Sequence, residues 1–332
     1  MLKVFNQQSL MNKSAILEHP GFSVLYFWIL FNVFTLGMLI LDLRVLHRPG
    51  RVVAFREALT WSAMYVALAA IFAATLYFWQ GPQAGLEFVA SYVLELSLSV
   101  DNLFVFLVIF NYFAVPEEYQ HRVLFWGVVG ALIMRGIFIG AGVGLLNRFH
   151  WLMFIFGVLL IYSGVRVCVM GDHQIDPSAN PLVKVLGKLI PITPEYHGGR
   201  FFIRKPEENN RLYATTLLVA LLVIETTDVL FAVDSIPAVL AITLNAFVVY
   251  TSNVFAILGL RSMYFAVAGL MKVFRFLHYG LAVVLILVGV KMLLSDYMHI
   301  QIAATLGVVA GVLLISVVLS ILFPQPRKSE PL

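Results

Sequence analysis

Residues 92–106 read YVLELSLSVDNLFVF, and residues 225–239 read ETTDVLFAVDSIPAV. Both are apolar enough to lie in a bilayer, yet each carries two acidic side chains six positions apart. Aligning the shared Val-Asp pairs sets Glu95 against Asp228, Asp101 against Asp234, and Asn102 against Ser235. The likeness continues outward. Each segment is followed by a span holding an arginine, MRGIFIGAG around Arg135 and LRSMYFAVAG around Arg261. A third span then begins Phe149-His150 or Leu277-His278 and ends Gly164-Val165-Arg166 or Gly289-Val290-Lys291. Three features in one order make an internal repeat. With an odd number of spans per unit, the two copies enter the membrane from opposite sides, the inverted arrangement common in secondary transporters.

Composition agrees. The chain has 332 residues, 61% hydrophobic and 12% charged, with a mean hydropathy of +0.92. Soluble domains run near 45–50% apolar and about 25% charged, so a secreted enzyme and a nucleic-acid binder are both excluded. The single cysteine, Cys168, excludes a disulfide framework and a thiolate cluster. A bilayer core takes roughly 20 apolar residues per helix. That length fits nine windows, at 24–43, 60–79, 87–111, 123–146, 150–170, 213–241, 247–271, 277–295 and 301–323. The fold class expected is all-α: a polytopic membrane protein of about nine transmembrane helices with two inverted three-helix repeats. Its parts are an external segment (1–23), two peripheral spans (24–86), a first repeat (87–170), a cytoplasmic loop (171–212), a second repeat (213–295), and a last span with a tail (296–332).

Charge sets the orientation. Sixteen of the 22 lysines and arginines fall on one side, in the loops around Arg44–Arg56, Arg122, 171–212, 272–275 and 327–328 and at Arg166. The other side has Lys3, Lys13 and Arg148. The positive-inside rule then places the N-terminus outside and the C-terminus in the cytoplasm. The first twenty residues are too polar for a secretory signal, so no processing is expected. The stretch 171–212 holds five prolines and Gly198-Gly199 and reads as a turn-rich connector. Within it PLVKVLGKLIP alternates apolar and basic residues, as a short interfacial helix would. Gly136, Gly140 and Gly144 form a GxxxG pattern expected to let helices approach closely.

A carboxylate at the bilayer centre costs roughly 2.5–3.5 kcal/mol on insertion scales, so it needs a partner or a task. Glu95, Asp101, Glu225, Asp228 and Asp234 face three intramembrane cations, Arg135, Arg261 and Lys291. A bound divalent cation or carboxyl protonation removes the excess negative charge. Glu225 and Asp228 share a helical face, whereas Asp234 lies about 120° from Asp228 on a straight helix. Pro237 deprives the Val233 carbonyl of its helical partner, and a kink there would turn the third carboxylate inward. Carboxylate, amide and carbonyl oxygens suit Mg, Ca or Mn; thiolate and imidazole suit Zn and Cu. All eight histidines fall in loops or near span ends, which argues against a soft-metal site. No HExxH or GxSxG motif occurs, and no enzymatic activity is expected.

Several motifs together resemble the TerC family of integral membrane proteins: Ser99–Val105, Phe231–Ala238, Thr251–Arg261, Phe201–Arg204 and Arg211–Thr215. Length, span number and the long central loop look most like its Alx branch. The resemblance implies a manganese exporter of the bacterial cytoplasmic (inner) membrane. It also implies that the ion binds at the acidic motif spans, which here carries over to Glu95, Asp101, Asn102, Glu225, Asp228 and Asp234. Arg135 and Arg261 would balance charge. Manganese is then the transported ion and no prosthetic group is expected. Protons are the expected counter-ion, and the bilayer is the medium. Contacts with secretion machinery or with further copies of the chain remain open. The rival reading is a membrane partner that supplies metal to exported enzymes or assists secretion.

Overall fold

A computed structural model describes residues 24–46, 55–149, 151–170, 190–193, 198–205, 210–268, 276–295 and 301–322, with a few isolated positions between 183 and 196. The chain divides into two compact units, 1–45 and 46–332. Helix α1 (Val24–Leu46) makes up all of the described part of the first.

The second unit contains eight long helices among its described residues. They are α2 (Phe55–Trp79), α3 (Pro82–Tyr112), α4 (Glu117–Arg148), α5 (Leu152–Met170), α6 (Thr216–Leu240), α7 (Ala246–Ala268), α8 (Leu277–Leu293) and α9 (Ile302–Leu322). Each sits on one of the windows read from hydropathy. Among the described residues, seven helices, α2 to α7 and α9, are long and apolar enough to cross a membrane; α1 and α8 contain the shorter apolar helices Tyr26–Leu41 and Tyr279–Leu293. The protein is an all-α polytopic membrane protein.

Local chemistry explains the ends. Gly81 turns at φ 103°, and Pro82 opens α3, where a missing N–H costs nothing. Pro116 precedes α4, and Glu117 and Glu118 occupy its first turn, where the helix dipole favours negative charge. Asn245 caps α7: its Oδ1 accepts from the backbone N–H groups of Phe247 (3.1 Å) and Val248 (3.4 Å). Helix α6 runs unbroken through Pro237 and stops at Leu240, within one turn of it.

The connector differs from the turn-rich expectation. Strands β1 (Ile192–Thr193), β2 (Phe202–Lys205) and β3 (Arg211–Thr215) form a three-stranded sheet in the order β1-β3-β2. Strand β3 pairs in parallel with β1 and antiparallel with β2. Aromatic and β-branched residues (Phe202, Ile203, Tyr213 and Thr215) favour extended backbone in these segments. Arg122 lies 5.6 Å over the Phe201 ring, and the Tyr196 hydroxyl donates to the Phe113 carbonyl (2.5 Å). Partial burial there raises the Tyr196 phenol above its ordinary pKa. Most of the proposed interfacial helix at 181–191 lies outside the described residues.

Helix pairing positions the site. Helix α3 packs on α2, α6, α7 and α9; α4 packs on α6 and α7; α5 packs on α8. Two apolar clusters form the core. One gathers Leu94, Leu98, Ile139, Leu160, Ile236 and Leu285; the other gathers Leu103, Phe110, Leu124, Leu217, Ile224 and Leu260. Each of α3, α4, α6 and α7 passes from one cluster to the other along its length. The changeover on α4 lies between Leu124 and Ile139, and on α6 between Ile224 and Ala232.

The close helix approach is not where the GxxxG pattern pointed. A Cβ added at Gly140 or Gly144 would meet nothing within 4 Å, and one at Gly136 would meet only the Tyr250 ring at 3.6 Å. Those glycines do not let another helix in. The tight contact is α5 on α8. A Cβ at Gly157 would stand 3.0 Å from the Gly289 carbonyl oxygen, and one at Gly164 2.7 Å from that of Ala282.

Candidate functional site

Arg135 on α4 and Asp228 on α6 lie at the changeover between the two cores, and Glu95 reaches them from the first-cluster stretch of α3. The three are 2%, 6% and 1% exposed. The Arg135 Nη1 donates to Glu95 Oε2 at 2.7 Å. Its Nε and Nη2 donate to the two oxygens of Asp228, both at 3.4 Å. A guanidinium suits this role because its rigid fork serves two planar carboxylates at once. Glu95 and Asp228 are the repeat-related pair, so both copies deliver a carboxylate to one cation. Glu95 Oε1 has no hydrogen-bond partner among the described residues. Half of that carboxylate is therefore an open oxygen in a buried place.

Glu225, one turn before Asp228 on α6, is half-buried and lies within the Asp228 electrostatic field. It packs against Gly130 of α4, where any Cβ would collide with its carboxylate. Absence of a side chain at Gly130 thus makes room for a third acidic group beside the pair. Asn102 is 2% exposed with its Nδ2 unpartnered among the described residues.

Not every expected ligand joins them. Asp234 turns to α5, where Ser163 Oγ donates to its Oδ1 at 2.7 Å and Arg166 contributes a favourable charge. The Asp101 side chain lies outside the described residues. Arg261 is buried at 2% exposure. Among the described residues, no group of three or more His, Cys, Asp and Glu side chains lies close enough to hold a metal ion. The described carboxylates are instead spread around Arg135 and along α6. Ser163 went unremarked in the sequence because a serine among apolar neighbours carries no signal until its partner is known.

The description "Integral membrane protein TerC family" matches residues 80–329. The chain belongs to the TerC family. An uncharacterized membrane protein of Myxococcus xanthus is 48% identical over 295 residues, covering 89% of this chain and 92% of that one. A Photorhabdus laumondii protein is 41% identical over 312 residues, covering 91% and 97%. An Escherichia coli K12 protein is 42% identical over 303 residues, covering 88% and 93%. The last two carry the provisional name membrane-bound redox modulator Alx. No solved structure matches the chain. This TerC protein therefore has relatives over most of its length.

Proposed function

We propose that this chain is a secondary transporter that moves divalent manganese out of the bacterial cytoplasm in exchange for protons. The observation that carries the reading is the buried Glu95–Arg135–Asp228 cluster, with Glu225 beside it and Glu95 Oε1 unpartnered among the described residues. Three carboxylates around one guanidinium carry a formal excess of negative charge where charge is costly. A hard divalent cation taking oxygen ligands offsets that excess. Glu95, Asp101, Asn102, Glu225, Asp228 and Asp234 would provide the ligands, at successive stages of transport rather than as one cage. Arg135 and Arg261 would hold the charge balance when the ion has left.

Pairing of the helices supports the inverted repeat. Exchanging α3 with α6 and α4 with α7 turns the α3–α7 contact into α6–α4, and both contacts exist. Helices α5 and α8 meet across the exchange. There the pair Gly157–Gly289 becomes Ala282–Gly164, and both pairs are close contacts. On this reading α1 and α8 also span, giving nine spans with the N-terminus outside and the C-terminus in the cytoplasm. Export of a cation opposes an inside-negative potential by about 2.3 kcal/mol per charge per 100 mV, so proton entry is the natural driving force. The redox wording of the relatives' names gains no support from a dithiol, since one cysteine cannot form an intramolecular couple.

Manganese efflux from loaded proteoliposomes tests the assignment. Wild-type chain should release the ion when a proton gradient is imposed. Full efflux after combining Asp101→Asn with Asp234→Asn would sink it.

A further inference from the structure

Serine inside a helix ordinarily returns its hydroxyl to the carbonyl one turn back. Ser97 does so, donating to Val93 O at 2.7 Å, and Thr226 and Thr227 on α6 do the same. Ser91 and Ser99 do not. Both are 0% exposed, and neither hydroxyl has a hydrogen-bond partner among the described residues. They share one ridge of α3 with the open oxygen of Glu95 and the unpartnered Nδ2 of Asn102, at spacings of four, four and three.

A single buried hydroxyl without a partner costs about 1–3 kcal/mol. Four orphaned polar atoms in register along one ridge point to a common partner that all four can use. Water is the small molecule that both donates and accepts, and buried polar sites take it up. One turn before Ser91 the ridge reaches Glu87, at 9% exposure. Glu87 Oε2 accepts from Thr243 Oγ1 at 2.6 Å, and its Oε1 accepts from Gln83 Nε2 at 3.0 Å. Thr243 lies in the α6–α7 turn, where its oxygen also accepts from the Asn245 backbone at 3.1 Å. The Lys291 ammonium of α8 adds a positive charge within the field of Glu87.

We propose that the ridge Glu87–Ser91–Glu95–Ser99–Asn102 is the wall of a water-lined path from the central ion pair to the α6–α7 end of the bundle. The Glu87–Thr243 bond latches that end in the present conformation. The ridge spans roughly 22 Å at 1.5 Å per residue, and its arm from Glu95 to Glu87 roughly 12 Å. The path deepens the transporter reading and rests on it only for the direction of traffic.

Cysteine accessibility tests the path in the full-length chain. With the exposed native thiol removed by Cys168→Ser, Ser91→Cys, Ser99→Cys and the off-ridge control Leu94→Cys are reconstituted. They are treated with a charged, membrane-impermeant methanethiosulfonate. Ser91→Cys and Ser99→Cys should react faster than Leu94→Cys. Adding Thr243→Val should accelerate both by about tenfold, because a hydrogen bond to a charged group is lost, while Thr243→Ser restores the slower rate. Either ridge cysteine reacting no faster than Leu94→Cys, with and without Thr243→Val, overturns the path. Hydroxyl-radical footprinting of the unsubstituted chain reads the same water if a cysteine variant fails to fold; no oxidation within 91–102 is the overturning result. Labelling requires no manganese movement. Intact labelling without efflux removes the transporter reading and leaves the path; intact efflux without labelling does the reverse.

Discussion

Arg135 is a guanidinium held between two carboxylates with almost no access to water. Taking these three charges into the bundle is costly, and the cost is met only while all three partners are present. Arg135→Ala should therefore destabilise the fold by about 3–5 kcal/mol, because it leaves Glu95 and Asp228 buried and uncompensated. Thermal unfolding in detergent, compared with Arg135→Lys, checks this; a melting temperature unchanged by the alanine would contradict the ion-pair geometry. Glu225 should behave differently. It is half-buried and, among the described residues, Arg135 pairs with Glu95 and Asp228 rather than with it, so Glu225→Gln should leave unfolding nearly unchanged, within about 0.5 kcal/mol, while manganese efflux falls. A variant that unfolds early would assign Glu225 to the scaffold instead. The acidic candidates were legible as residue types, since charge at membrane depth stands out against an apolar background. Their separation was not. Helical spacing put Glu225 with Asp228 and turned Asp234 away, and that angle survives: Asp234 finds Ser163 on α5 rather than the central arginine. The expected turn at Pro237 does not redirect it, because α6 continues as a helix to Leu240.

At the scale of elements, each helix sits on a hydropathy window, since spanning length and apolar content are properties of contiguous residues. Which helix touches which is not such a property. GxxxG is a local pattern, and on α4 it faces open space at Gly140 and Gly144. The glycines that bring α5 and α8 together are Gly157 and Gly164, seven apart on α5, and Gly289 on α8. Gly157→Leu and Gly289→Leu should each force the α5–α8 backbones apart and cost about 1–3 kcal/mol. Gly140→Leu should be close to neutral. Equal melting temperatures for all three would refute the close packing. The sheet in the connector was hidden for a related reason. Proline and glycine punctuate the stretch, but strands of two to five residues acquire their meaning only when β3 pairs with both neighbours.

For the molecule as a whole, the distribution of lysine and arginine predicts one orientation. A fluorescent reporter that matures only in the cytoplasm should be active when fused after Leu332, and an export-dependent phosphatase should be active when fused before Met1. The reverse pattern would invert the direction of transport assigned to the site. Fold class, the positions of the long helices and the doubled acidic motif follow from residue order, and so does the orientation predicted, because hydrophobic length, the basic content of loops and the acidic residues within apolar runs are local quantities. Which carboxylates share Arg135, where Asp234 goes, which glycines meet, and the hydroxyls on α3 that have no partner among the described residues were decided by tertiary structure. These depend on the angle and depth at which separate helices pack. No run of neighbouring residues encodes a contact such as that of Arg135 with Asp228, which lie 93 positions apart.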